Sequence, residues 1–199
     1  LKEDPFPARN EGLYQDLLEE ECSRIILDVL SLAFSGRGER TCSDTIKIIN
    51  LARGVDAGIE DYAKLRRIEG DFSRFLDKLK DSFSDVGNDC KLEEKLWEIT
   101  RYIGLITLKN VFRQYKQGTY LEDKIVGLSN LLWQEYSHYS RWDMAIASLK
   151  GEYSIPVMTI HKSKGLEYDT VIFLGLEDDA FFKYASQRDQ EMCSFFVAL

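Results

Sequence analysis

Thr159, His161, Lys162, Ser163, Lys164 and Glu167 fall within one ten-residue stretch, Thr159 to Tyr168. Hydroxyls, an imidazole and two ammonium groups supply donors and positive charge for phosphates. The single carboxylate, Glu167, can accept from a sugar hydroxyl. Gly165, in their midst, permits close backbone approach or an unusual turn. Apolar runs flank the stretch: Ile155-Pro156-Val157-Met158 before it, and Thr170-Val171-Ile172-Phe173-Leu174 after it, bounded by Asp169 and Gly175. Short runs of this kind read as buried strands. The polar segment between them is then expected to be a ligand loop at a strand end of an α/β sheet.

The order of residues narrows the chemistry further. Thr159-x-His161-x-x-Lys164-Gly165-Leu166-Glu167-Tyr168, followed by Val171-Ile172-Phe173-x-Gly175-Leu176-Glu177, resembles motif V of UvrD/Rep/PcrA-type superfamily 1 DNA helicases. Gln190-Glu191 and Phe195-Phe196-Val197-Ala198-Leu199 are similar to the start of that family's motif VI helix. In the family this helix continues into an Arg that reaches the ATP γ-phosphate, and the sequence stops short of it. The resemblance implies that Thr159, His161 and Lys164 contact the backbone of single-stranded DNA. A hydroxyl and an imidazole N–H at a strand end donate to phosphate oxygens without reading bases. For Lys164 a local pairing with Glu167, three residues on, is the alternative. The resemblance also implies that Gly165 and Glu167 face nucleotide, with Glu167 accepting from the ribose. Leu166 and Tyr168 are expected to pack and seat the loop. Two departures stand out: Asp178-Asp179-Ala180-Phe181-Phe182 lacks the family's proline, and Met192-Cys193 replaces a basic pair.

The elements that must position this loop are mostly helical. The three prolines are at 5, 7 and 156, leaving residues 8–155 free of them, as a bundle of helices permits. Apolar spacing predicts a helix over about 11–35, stopped by Ser35-Gly36-Arg37-Gly38. A second, capped by Ser43, runs through Ile46, Ile49 and Leu51 to Gly54. A third holds Ile59 to Ile68 before Gly70, and Asp71 opens a fourth through Phe83. Leu92, Leu96, Ile99, Ile103 and Ile106 predict a long amphipathic helix ending near Gly118. A last stretch over about 121–149 is kinked or divided at Ser137-His138-Tyr139-Ser140 and terminated by Gly151. The fold class expected is mainly α: a helical-bundle insertion over 1–152, similar to the family's 2B unit. A small α/β portion of a RecA-like (P-loop NTPase) domain, similar to 2A, follows over 153–199.

Composition excludes several other functions. Net charge is −8, from 26 Lys+Arg against 34 Asp+Glu, so the chain is no basic nucleic-acid platform of the usual kind. No G-x-x-x-x-G-K-[ST] occurs, so a complete P-loop ATPase site cannot form within it. ATP and Mg2+ are accordingly expected as cofactors of a longer parent, of which this sequence, lacking an initial Met, is expected to be an inactive piece. Cys22, Cys42, Cys90 and Cys193 are scattered, spell no metal site, and read as reduced thiols of a cytoplasmic protein. No apolar stretch is long enough for a membrane span. Tyr102, Tyr115, Trp133, Tyr136, Tyr139 and Trp142 mostly lie on apolar helical faces and read as core packing. Glu19-Glu20-Glu21 reads as a solvated face. The implied function is ATP-driven translocation on single-stranded DNA and duplex unwinding, in repair or a related pathway. The alternative is a non-catalytic helical interaction module with a protein partner and a vestigial motif V.

Overall fold

Two four-residue-spaced stripes make the centre of the molecule. Leu92, Leu96, Ile99 and Ile103 on one helix and Leu121, Ile125, Leu128 and Leu132 on another are all wholly buried. Spacings of three and four residues put each set on one helical face, and those faces pack together with Ile25, Ile26, Val29 and Leu30 of a third helix. Each such side chain contributes about 1.5–3 kcal/mol on burial.

The computed structural model describes residues 8–10, 16–35, 42–55, 62–152, 154–163 and 165–174. In chain order these form β1 (Ala8–Asn10), α1 (Glu21–Ser35), α2 (Cys42–Ala52), α3 (Tyr62–Ser82), α4 (Asp89–Ile103), α5 (Leu105–Val111), α6 (Tyr120–Tyr139), α7 (Trp142–Leu149) and β2 (Ile155–Val157). Single 3-10 turns lie at Phe83–Asp85, Arg113–Lys116 and Ile160–Ser163. The fold is mainly α, as the sequence predicts. Helix α1 is buried on nearly every side, from Cys22 to Ala33, and forms the central rod of the bundle.

Two helix boundaries differ from expectation. Helix α3 runs unbroken through Gly70 and Asp71, where the sequence predicts a stop and a new cap. Ile68, Phe72 and Leu79 form one buried stripe across the glycine, and a mid-helix glycine costs only about 1 kcal/mol. Conversely, the long helix expected to reach Gly118 breaks into α4 and α5 at Gly104, whose φ is +118°. A Cβ there would stand 2.7 Å from the Cβ of Ala52, so the close approach of α2 requires glycine. The division between α6 and α7 falls where expected, at Ser140 in the left-handed region with φ of 53°.

The aromatic residues largely pack, as expected. Trp142 meets Phe83 edge-on at 5.0 Å and stacks on Tyr136 at 3.8 Å, and Tyr136 in turn meets Trp133 at 5.6 Å. Tyr102 stacks on Phe75 at 3.8 Å beneath the Arg53 guanidinium. Tyr139 instead packs edge-on against His138. The acidic run behaves differently from the solvated face expected of it. Glu20 accepts hydrogen bonds from the hydroxyls of Tyr115 and Tyr120 and pairs with Lys124 at 3.5 Å. Its side chain is drawn into the join between α1 and α6 because two tyrosines and a lysine there need an acceptor.

Strands β1 and β2 pair in parallel, with Ala8 opposite Ile155, Arg9 opposite Pro156 and Asn10 opposite Val157. The helices are therefore one long crossover between two neighbouring strands. The second apolar run, Thr170–Leu174, reads in the sequence as a buried strand; it has no regular structure, and Ile172 and Leu174 are 77% and 86% exposed. Ile155 and Val157 are also exposed. A strand exists only against a partner's backbone, and among the described residues no segment pairs with this run. The Gly36-Arg37-Gly38 stop and the motif VI resemblance lie outside the described residues.

Candidate functional site

Pro156 sits within β2, and the chain leaves that strand through Met158 and Thr159 into the 3-10 turn Ile160–Ser163. The Thr159 carbonyl anchors this turn, accepting from the amides of Lys162 at 2.9 Å and Ser163 at 3.2 Å. Ser163 Oγ donates to the Ile160 carbonyl at 2.8 Å, and the Leu166 amide donates back to the Ser163 carbonyl at 2.9 Å. Gly165 takes φ of +83°, a left-handed value that L side chains rarely adopt. The loop is thus closed on itself by local hydrogen bonds.

That closure decides what the side chains are free to do. Thr159, His161, Gly165 and Glu167 are all exposed. Thr159 and His161 stand at the start of the turn, Gly165 just after it, and Glu167 on the extended arm that follows. The structure therefore carries four of the five sequence-predicted site residues on one short solvent-facing segment. Lys164 lies outside the described residues, and so does any pairing of it with Glu167. Ser163, one of the donors counted in the sequence, spends its hydroxyl proton on closing the turn.

Leu166 and Tyr168, expected to seat the loop, are 48% and 45% exposed. The seat is instead the backbone network from Thr159 to Leu166. Nothing near Gly165 comes within 4 Å of a built Cβ, so its glycine is required by φ and not by crowding. The arrangement offers a hydroxyl and an imidazole to an anion on the turn, and a carboxylate to a hydroxyl-bearing ligand on the arm. Among the described residues no group of His, Cys, Asp or Glu is placed to hold a metal ion. Of the cysteines there, Cys22 is free and buried, with burial pushing its thiol up, and Cys90 is free and exposed.

The residues that sequence reading passed over are the polar ties of the bundle. Asp28 and Lys150 are far apart in sequence and meet at 3.4 Å, with Lys150 also donating to Ser31 Oγ at 3.3 Å. Arg53 donates to the carbonyls of Ile49 and Tyr102. Their only sequence signal is a charge on an otherwise apolar helical face, as at Asp28.

Known proteins resemble this chain over most of its length. The model of the UvrD-like helicase C-terminal domain matches residues 28–199, covering most of the bundle as well as the loop. The chain is 28% identical over 194 residues to an ATP-dependent helicase/nuclease subunit of Alkaliphilus metalliredigens (strain QYMF). That match takes in 86% of this chain and 16% of the relative, so the chain spans a small part of the relative's length. No solved structure matches it. No described helix is long and apolar enough to cross a membrane.

Proposed function

The chain belongs to the UvrD-like helicase C-terminal domain family, and from that premise we propose that it is part of an ATP-dependent DNA helicase. In this reading residues 1–152 are a helical insertion, apart from the short strand β1 that pairs with β2, and 153–199 are part of the second RecA-like motor domain. The whole protein couples ATP hydrolysis to translocation on single-stranded DNA and to duplex separation, in the cytoplasm, in repair or a related pathway. The chain by itself is inactive, because its sequence contains no phosphate-binding G-x-x-x-x-G-K-[ST] loop.

The observation that carries the reading is the self-closed turn after β2. It leaves Thr159 and His161 exposed at its start and Glu167 exposed on the following arm. Thr159, His161 and Lys164 contact DNA phosphates, while Gly165 and Glu167 border the nucleotide. Glu167 fits a ribose hydroxyl because an exposed carboxylate accepts without needing a buried counter-charge. The described residues offer no acidic cluster for Mg2+, so its ligands belong to other parts of the protein. ATP, when bound, supplies the free energy. What this segment supplies is a rigid link between a phosphate contact and a ribose contact. A two-stranded parallel pair with exposed faces also needs further strands to be stable, as a motor-domain sheet would provide.

The test is a pair of substitutions in a protein that carries the complete motor. His161→Ala weakens single-stranded DNA binding and DNA-stimulated ATPase, because a phosphate loses a hydrogen-bond donor. Glu167→Ala leaves nucleotide-free DNA affinity unchanged and raises the apparent KM for ATP. A charged hydrogen bond of about 1.5–3 kcal/mol corresponds to roughly 10- to 150-fold. If both variants only melt earlier and the folded fraction keeps normal kinetics, the loop is structural and the interaction-module reading replaces this one.

A further inference from the structure

Helix α7 ends in a way that fixes the chain beyond it. Gly151 takes φ of +76°, its amide donates to the Ser148 carbonyl at 3.0 Å, and the Glu152 amide reaches back to the Ala147 carbonyl at 3.0 Å. Those two bonds form a Schellman motif, which satisfies the last carbonyls of the helix. Lys150, the C-cap residue immediately before the glycine, lays its ammonium against Asp28 and Ser31 of α1 at 3.4 and 3.3 Å. Ser148, two residues earlier, donates to Glu135 of α6 at 2.7 Å. Three helices thus converge on the last turn of α7, and the strand that carries the candidate loop begins at Ile155.

The pair is built for this position. Asp28 is 8% exposed, on the helix that is buried all round, and Lys150 is its nearest cation, with Arg24 one turn away as a weaker influence. A buried carboxylate requires a charged partner or a proton. Lys150 can meet that need only while α7 keeps its last turn and Gly151 its left-handed turn. The same constraint holds from the other side, since β1, which precedes α1 in the chain, pairs with β2. The exit turn is therefore the point at which the helical unit hands the chain on towards β2.

We propose that Lys150, docked on Asp28 and Ser31, is a latch that holds the α7 exit turn, the last turn of the helical unit before the chain runs on to β2. Lys150 and Asp28 are positioning residues; neither touches a ligand. With the latch closed, the hydrogen-bonded end of α7 extends to Glu152. With it open, the exit turn unwinds. The inference concerns the chain's own mechanics and does not rest on the helicase reading.

The test is residue-resolved hydrogen exchange on the 199-residue chain. The amides of Lys150, Gly151 and Glu152 are the reporters, because each donates to a carbonyl of the last turn. In Lys150→Met, and in Asp28→Asn, which keeps the volume and removes only the charge, these amides exchange at least about ten-fold faster than in the unsubstituted chain. The amides of Leu96, Ile99 and Leu128 in the core change by less than about two-fold. Lys150→Arg restores the slow exchange. Unchanged exchange at Gly151 and Glu152 in the charge-removal variants overturns the latch. Equal acceleration in α4 and α6 also overturns it, since the pair is then ordinary bundle stability. Failure of Lys150→Arg to restore protection overturns it as well. Should Lys150→Met not fold, Asp28→Asn alone decides.

Discussion

Tyr115→Phe removes one oxygen from the best-buried aromatic ring and tests how α1 begins. The ring is 1% exposed, and phenylalanine fills the same space, so packing is preserved. Two hydrogen bonds go. The Tyr115 hydroxyl accepts from the Cys22 amide at 3.0 Å and donates to Glu20 Oε2 at 3.0 Å. Cys22 is in the first turn of α1, where amides have no intrahelical carbonyl to meet. Glutamate at the cap is a weak substitute for Ser, Thr, Asp or Asn, so a tyrosine 93 residues away does the capping. Cys22 is 2% exposed, so water does not readily replace the missing acceptor, and a stranded buried amide costs about 1–3 kcal/mol. Glu20 keeps the Tyr120 hydroxyl and the Lys124 ammonium, so the bond it loses adds only about 0.5–1 kcal/mol. A total near 2.5 kcal/mol lowers Tm by roughly 5–10 °C in a unit of this size. Burial pushes the Tyr115 hydroxyl far above its ordinary range, so it stays neutral and the loss is the same at any working pH. Urea unfolding followed by circular dichroism, with calorimetry alongside, measures the change. Tyr120→Phe is the control: it takes a bond from the same carboxylate but strands no amide, and costs under about 1 kcal/mol. If the two variants lose equal stability, or Tyr115→Phe loses under about 0.5 kcal/mol, the capping account is wrong.

Gly104→Ala combines a left-handed φ with a 2.7 Å approach to Ala52 Cβ, and should cost about 2–4 kcal/mol in urea unfolding; Gly87→Ala, with nothing within 4 Å, should be near neutral. Burial raises the Asp28 carboxyl above its ordinary range, partly countered by Lys150. A carboxyl raised in the folded state favours folding when protonated, and that contribution fades as pH rises from its unfolded value through its folded one. Asp28→Asn should therefore gain stability relative to the unsubstituted chain as pH rises above the ordinary Asp range. A difference that is flat with pH would refute the assignment. Asp143, lowered by the neighbouring Arg141, has the opposite sign: its contribution is present above the ordinary Asp range and is lost as pH falls through its folded value, so Asp143→Asn should flatten the acid limb.

What the sequence determined by itself was periodic or local. The spacing of Leu92, Leu96, Ile99 and Ile103 placed a helical face, because burial at 3.6-residue repeats needs no knowledge of the partner. The left-handed turns at Gly151 and Gly54, and the turn residues of the Thr159–Tyr168 stretch, were legible for the same reason: a backbone geometry is written into the residue that adopts it. Tertiary structure decided everything that depended on a distant partner. Helix α3 continues through Gly70 because a stripe from Ile68 to Leu79 is covered by other helices, and α4 breaks at Gly104 because α2 comes too close for any side chain. Glu20 left the expected solvated face because Tyr115, Tyr120 and Lys124 surround it. The run from Thr170 to Leu174 has strand composition and no strand, since a strand is made by the backbone beside it and not by its own residues.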